Sequence, residues 1–211
     1  MNRPAREDSF VGDPQPMLVV ISGPSGVGKD TIIAALQRRS HEPPYHYVVT
    51  CTTRARRPGE IDGVSYNFLA TEQFQALRDA GELLEANEVH GHWYGTPRAG
   101  VRQALAKGQH AILKIDVQGA HVVKGCIPDA LLIFVVPPSL ETLAKHLKDR
   151  RTETAAELEL RERNAALELA RKDDYDHVVV NEEGNVDRTA KLIDEIISHE
   201  ERRGSRGPVI V

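Results

Sequence analysis

Short apolar runs alternate with longer amphipathic stretches along this chain. Leu18-Val-Val-Ile-Ser22 is apolar up to its last residue, and similar runs recur at 47–53, 111–116, 131–136 and 177–180. They are too short to be buried helices and are nearly continuous in apolar residues, as expected of strands covered on both faces. Between them lie helical stretches at 29–39, 99–107, 140–149, 155–172 and 186–203. This order predicts an α/β fold, a parallel sheet flanked by helices. Two segments break the rhythm. Residues 54–96 are rich in Gly, Arg, Tyr and Glu, and residues 149–172 are helical but dense in charge, with few apolar anchors.

The chain has 211 residues, a length that suits one α/β domain with smaller lobes inserted in it. A net charge of -4 and a pI near 6.1 supply no basic field, so nucleic acid is not an expected partner. Cys51 and Cys126 are the only cysteines. They make neither a disulfide framework nor a metal cluster, and a reducing cytoplasm is the expected location. Residues 1–16 are polar and proline-spotted, without the apolar core of a signal peptide, and no run approaches membrane-spanning length. The segment after the last helix, 204–211, reads as a short tail; its apolar Val209-Ile-Val211 end could dock, but fraying is the expectation.

The first strand runs into Gly23-Pro24-Ser25-Gly26-Val27-Gly28-Lys29-Asp30-Thr31, and Ile32-Ile-Ala-Ala-Leu36 then starts a helix. Strand, glycine-rich loop and helix together make a phosphate-binding loop. The glycines let backbone N–H groups converge on an anion, and the helix N-terminus favours negative charge. Lys29 supplies a point charge for the β- and γ-phosphates of a nucleoside triphosphate. One position departs from the pattern. The Ser or Thr expected directly after the lysine, the usual magnesium ligand, is Asp30, with Thr31 following.

Arginines 54, 56 and 57 stand in a loop shaped by Pro58, Gly59 and Gly63. Such a loop suits bidentate recognition of a second phosphate, to which Tyr66 can add a hydroxyl; a solvated basic loop has the same composition.

Taken together, these motifs resemble those of guanylate kinases, which phosphorylate GMP with ATP. The resemblance covers about residues 17–200. Besides the loop at 23–29, it rests on Thr52-Thr-Arg54-Ala-Arg-Arg57-Pro-Gly-Glu60, Gly63-Val-Ser-Tyr66-Asn-Phe68, Glu85 and Trp93-Tyr94-Gly95. It continues through Ile115-Asp-Val-Gln-Gly119, Val136-Pro-Pro-Ser139, and Arg150 followed by Thr152-Glu-Thr154. It implies a phosphate-loop core at 17–49, 97–139 and 173–203, a GMP-binding lobe at 50–96 and a lid at 140–172, with tails at 1–16 and 204–211. The resemblance also implies that Arg54, Arg57 and Tyr66, with Tyr94 nearby, hold the GMP phosphate. Thr50, Glu85 and Thr96 would read guanine, Asp116 would complete the GMP site, and Arg150 and Arg161 would close from the lid. ATP with Mg²⁺, and GMP or dGMP, are the implied ligands. An ionised carboxylate at 85 can accept from both N1–H and the N2 amino group of guanine, a donor pair that adenine lacks.

Three positions depart from the family pattern. Asp30 replaces a hydroxyl, Lys114 stands where an acid is usual, and His146 stands where an arginine is frequent. Residues 114 and 116 share a strand face, so a Lys114–Asp116 pair beside the nucleotide can form; Asp30 is expected to meet magnesium through water or at the edge of its shell, the alternative being that it only stabilises the helix N-terminus by its charge. Two other readings share the fold. Bacterial ribose 1,5-bisphosphate kinases often carry Gly-Lys-Asp, as here, but should lack the full guanine-reading set. Guanylate-kinase-like scaffold modules resemble the fold but lose nucleotide-loop residues, whereas Gly28 and Lys29 are intact.

Overall fold

The computed structural model describes residues 15–89, 91–148 and 163–211. Its centre is strand β1 (Leu18–Ser22), all five residues of which are buried. β7 (Ala111–Lys114) and β8 (Leu131–Val136) pair with it in parallel on either side, in the registers Leu18 to Ala111 and Val19 to Leu131. β2 (His46–Tyr47) and β9 (His177–Val180) form the outer edges, giving the order β2-β7-β1-β8-β9. All pairings in this sheet are parallel, as the apolar runs predict.

Strand alternation divides the core between the two faces. Val19 and Ile21 pack with Ile32 and Leu36 of helix α1 (Lys29–Gln37) and with Ile193 and Ile197 of the last helix, α7 (Val186–Arg203). Leu18 and Val20 face the other way, onto Val101 and Ala104 of α3 (Arg98–Ala106) and Ala120 and Val123 of α4 (Val117–Cys126). In α7, Thr189, Ala190, Ile193, Ile197 and Glu200 are buried at helical spacing, and the helix stops at Gly204 in the left-handed region, φ 58°. Full burial of each of these isoleucines contributes about 1.5–3 kcal/mol. Among the described residues, no helix is long and apolar enough to cross a membrane.

Residues 54–96 are more regular than their composition suggests. With their flanks they build a second sheet, β4-β3-β6-β5, from β3 (Cys51–Thr52), β4 (Asn67–Phe68), β5 (Leu83–Val89) and β6 (His92–Pro97). Helix α2 (Thr71–Asp79) covers it, and Phe74, Cys51 and Leu83 form a small core with Trp93 at its margin. The apolar run at 47–53 is therefore two strands rather than one. Val48 N–H still bonds Ile112 of the main sheet, but the Thr50 carbonyl accepts from Asn67 of the second. The chain changes sheets between them, which sets Thr50 in the cleft. Helix α4 is also absent from the sequence reading, because Gly119 and Gly125 lower its helical signal.

Helix α5 (Leu140–Lys148) packs through Leu143 on Ala165 and Leu169 of helical residues 163–169 (α6). A short 3-10 turn, Lys172–Asp174, then leads into β9. Of the helix expected at 155–172, residues 155–162 lie outside the described residues.

The tail after α7 does not fray. Arg206 donates to Glu200 at 3.1 Å and to the Ala130 carbonyl at 3.1 Å. Arg102 of α3 donates to the Val211 carbonyl at 2.7 Å, and Val209 and Val211 pack against the α3–α4 side of the core. The valines add a little burial where the unpatterned sequence shows only an end. Deleting residues 207–211 should lower the unfolding free energy in urea by about 1–2 kcal/mol, the order of two partly buried valines, and leave turnover at saturating substrates within twofold of the parent.

Candidate active site

The loop after β1 owes its shape to close contacts that allow no side chain. Gly23 has φ 148°, and a Cβ there would lie 2.3 Å from the Val135 carbonyl oxygen. Gly28, φ 93°, precedes the first turn of α1, and a Cβ on it would meet the Asn181 amide at 2.7 Å. That amide donates to the Val27 carbonyl at 2.8 Å, so the end of β9 braces the loop. Lys29 donates across its own loop to the carbonyls of Gly23 at 2.5 Å and Pro24 at 3.1 Å. Burial lowers the Lys29 pKa, against the pull of Glu168, Asp116 and Asp30. Glu168 of α6 accepts from the Ser25 N–H at 3.3 Å, placing a carboxylate at the loop. Burial raises its pKa, while Lys29 and the Ser25 N–H oppose the shift.

Facing the loop is a wall built by the second sheet. Glu60 organises it: one oxygen accepts from the Arg54 guanidinium at 2.7 Å and the other from the Arg57 N–H at 2.7 Å. Burial opposes ionisation of Glu60, but Arg54 and the Arg57 N–H hold its pKa below the usual value. Arg54 also stacks 5.5 Å from the Tyr66 ring centre, and Tyr66 meets Tyr94 edge-on at 6.0 Å. Two guanidinium groups and two phenols thus border one space. The Arg57 side chain is exposed, and its backbone N–H is what bonds Glu60.

Deeper in the cleft, Glu85 is 5% exposed. Thr96 donates to one of its oxygens at 2.7 Å, and Asn87, two residues along the same strand face, to the other at 2.7 Å. An ionised carboxylate has about four lone-pair sites, so Glu85 keeps capacity for an incoming donor. A Cβ at position 119 would lie 2.9 Å from Glu85 Oε2, so the glycine of the Ile115–Gly119 motif makes room for the carboxylate. Burial raises the Glu85 pKa to about 7, with Asp116 adding to it and Thr96 and Asn87 opposing it. Asp116 is the N-cap of α4 and accepts from the Gly119 N–H at 2.7 Å.

The two walls enclose a cavity of about 250 Å³. It is lined by loop residues Gly23, Ser25 to Thr31, by Thr50, Arg54, Arg57, Tyr66, Glu85 and Tyr94, and by Asp116. Pro24 and Thr96 stand behind this lining: the first accepts from Lys29 and the second holds Glu85. Arg150 and Arg161 lie outside the described residues. The Lys114–Asp116 pair does not form. Lys114 turns instead to Asp30 across the cleft, while one oxygen of Asp116 caps α4. His146 pairs with Glu183 at 3.3 Å.

Sequence reasoning left Glu60 as a motif letter and passed over Asn87, Glu168 and Asn181. Asn87 was legible as the next residue on the Glu85 face, and Asn181 as the first polar residue after a strand, where α/β sheets bind ligands. Glu168 carried no signal, since any acid of a charged helix has the same pattern.

The guanylate kinase family model matches residues 15–200 of the chain. The chain is 42% identical over 190 residues to a guanylate kinase of Clostridioides difficile, covering 90% of this chain and 91% of that protein. It is 43% identical over 191 residues to guanylate kinase 2, chloroplastic/mitochondrial, of Oryza sativa, and there spans 66% of the relative's length. The crystal structure of guanylate kinase from Anaplasma phagocytophilum is similar with a TM-score of 0.71 and 31% identity, over 90% of this chain and 89% of that one.

The position of Glu85 has a consequence for stability. Its folded pKa of about 7 lies above the ordinary value of 4.5, so the folded state holds the proton more tightly than the unfolded chain. The stability this confers is present in full at acid pH and is lost as pH rises through about 7. Glu85→Gln, which cannot ionise, should therefore melt at a higher temperature than the parent at pH 8.5, with the gap narrowing toward pH 5. Thermal melts of both proteins across that range check it.

Proposed function

The chain belongs to the guanylate kinase family and phosphorylates GMP to GDP with ATP, and we propose that residues 23–31 hold the donor triphosphate while residues 50–96 hold the acceptor. The observation that carries this assignment is the meeting of two unlike anion sites in one cleft. A backbone nest with Lys29 faces a wall of Arg54, Arg57, Tyr66 and Tyr94. In-line transfer needs that opposition, with the acceptor oxygen facing the γ-phosphorus.

Each residue then has a physical task. Backbone N–H groups of the loop bind the β-phosphate, and Lys29 moves its charge from the loop carbonyls to the β- and γ-phosphates. Arg54, already stacked on Tyr66 and held by Glu60, reaches the GMP phosphate with little loss of side-chain freedom. Arg57 closes over it from the exposed side. Ionised Glu85 accepts from N1–H and the N2 amino group of guanine while Thr50 and Thr96 complete the pocket, which takes dGMP as well. Asp116 borders the same nucleotide. Arg150 and Arg161 close from a lid at 140–172, exclude water and neutralise the transferring group. No general base is needed, because the acceptor phosphate is already an anion.

A kinase acting with ATP generally uses a divalent metal, here Mg²⁺ in our reading. Asp30 is a hard oxygen donor at the loop with a 75% exposed side chain, which fits that ion at the edge of its shell or through water. Bound with ATP, such an ion would supply positive charge to the phosphates. No dedicated partner beyond these ligands is needed for the reaction.

Acceptor selectivity tests the guanine assignment. ADP release from ATP should be fast with GMP, slower with dGMP, and at least 100-fold slower with AMP, UMP or ribose 1,5-bisphosphate, since a lost hydrogen-bonding set costs that order. Comparable rates with AMP overturn it. GMP affinity in calorimetry should fall as pH drops below about 7 and Glu85 takes up its proton, and Glu85→Gln should bind GMP weakly with a flat pH profile.

The donor and acceptor assignments separate in mutant kinetics. Lys29→Ala should reduce kcat by about 100-fold or more with GMP affinity nearly unchanged, because its charge matters most in the transition state. Arg57→Ala should weaken GMP binding by about 1.5–3 kcal/mol, the cost of one charge-assisted bond. The reverse pattern would exchange the two sites.

A further inference from the structure

Lys114 is the last residue of β7, and its side chain reaches beyond the strand end into the cleft. Its ammonium donates to Asp30 in the first turn of α1 and sits 4.8 Å from the ring centre of Tyr66. Tyr66 in turn carries Arg54 on its ring at 5.5 Å. One cation thus contacts the donor loop's helix and the acceptor wall at once. The two partners of the ion pair differ in exposure. The Lys114 side chain is 20% exposed and that of Asp30 is 75% exposed. A carboxylate so exposed adds little stability through an ion pair, whereas an ammonium drawn into a cleft loses much of its hydration. As a brace for the fold the pair is poorly placed. As a site for an arriving anion it is well placed, because the two nucleotides must bring phosphates together against their mutual repulsion.

We propose that Lys114 is a further catalytic residue, a fixed cation that binds the acceptor phosphate and the transferring phosphoryl group between the two nucleotides, with Asp30 as the positioning residue that holds it there before they enter. The inference rests on GMP occupying the wall of residues 50–96. In the step itself an acceptor phosphate oxygen bonds to the γ-phosphorus. The bond from that phosphorus to the bridging oxygen breaks, and ADP leaves with the electron pair. Lys114 gives up no proton; its charge offsets that spread over the three equatorial oxygens. The entering phosphates replace Asp30 as its partner.

The test compares Lys114→Met, Lys114→Arg and Asp30→Ser with the parent, by calorimetry with GMP and with guanosine in the absence of ATP, by steady-state kinetics and by thermal melts. Lys114→Met should bind GMP about tenfold more weakly and guanosine unchanged, the loss of one charge-assisted contact. Its kcat should fall about 100-fold, the order for removing one group that stabilises transition-state charge, and its melting temperature should hold. Lys114→Arg should recover most of the kcat, and Asp30→Ser, which removes the partner that places Lys114, should weaken GMP binding by about threefold; unchanged GMP affinity in Asp30→Ser overturns its positioning role. If Lys114→Met fails to fold, Lys114→Gln takes its place. A neutral variant whose kcat and GMP affinity stay within twofold of the parent overturns the proposal. So does an equal loss for GMP and guanosine, which marks a brace and not a phosphate ligand. Arg57→Ala, run alongside, separates the two levels: if it weakens GMP binding while Lys114→Met does not, the Lys114 inference alone fails; if neither does, the acceptor site is elsewhere.

Discussion

The whole cleft depends on how tightly β1 is gripped along both edges. Its residues pair in register with β7 on one side and β8 on the other, and none of its side chains reaches solvent. The strand therefore ends at a fixed point, and Gly23 passes the Val135 carbonyl too closely for any Cβ. The loop inherits that rigidity. Its N–H groups are held open by neighbours on β8 and β9, not by their own propensity. Because β7 is locked to the same strand, Lys114 and Asp116 arrive beside the loop in a register that the hydrophobic core sets.

The second sheet works by a different principle. It is small, its core consists of a few residues around Phe74, and its contribution lies in arranging charge. Glu60 ties the Arg54 side chain to the Arg57 backbone, and Asn87 and Thr96 hold Glu85 from both sides. In each case the fold itself orients a carboxylate and its donors, so that a ligand meets groups already held in place. The main sheet provides a rigid frame, and the small sheet provides orientation.

That division explains what the sequence made legible. The three central strands stood out because burial on both faces demands continuous apolar runs, and the loop stood out because its glycines have a steric reason. The small sheet was hidden. β3 and β4 are only two residues long, and β5 and β6 mix buried, half-buried and exposed positions, so β3 looked like the end of β2, and β5 and β6 looked like an irregular charged insertion. At the site, Arg54, Tyr66 and Glu85 could be named from motifs, whereas their supports could not, because a supporting residue is defined by what it faces. Lys114 shows the limit well. Strand alternation put it on the Asp116 face, but Asp116 caps α4 and the ammonium reaches Asp30 instead, a partner that only tertiary geometry reveals.

The Glu168 carboxylate at the Ser25 N–H carries a consequence of its own. In the proposed assignment that donor belongs to the seat of the triphosphate, where two anions cannot share it closely. The side chain and the nucleotide are thus competitors for one place, and the strength of nucleotide binding is always a difference between two occupants. Since Glu168 rides on α6, which packs through Ala165 and Leu169 onto α5, eviction of the carboxylate changes what anchors that helix pair to the loop. By reciprocity, whatever shifts the helix pair alters the grip on the nucleotide by the same factor. The loop is in this sense a thermodynamic coupling point, where a local exchange of anions is felt as a change in how the neighbouring helices are tethered.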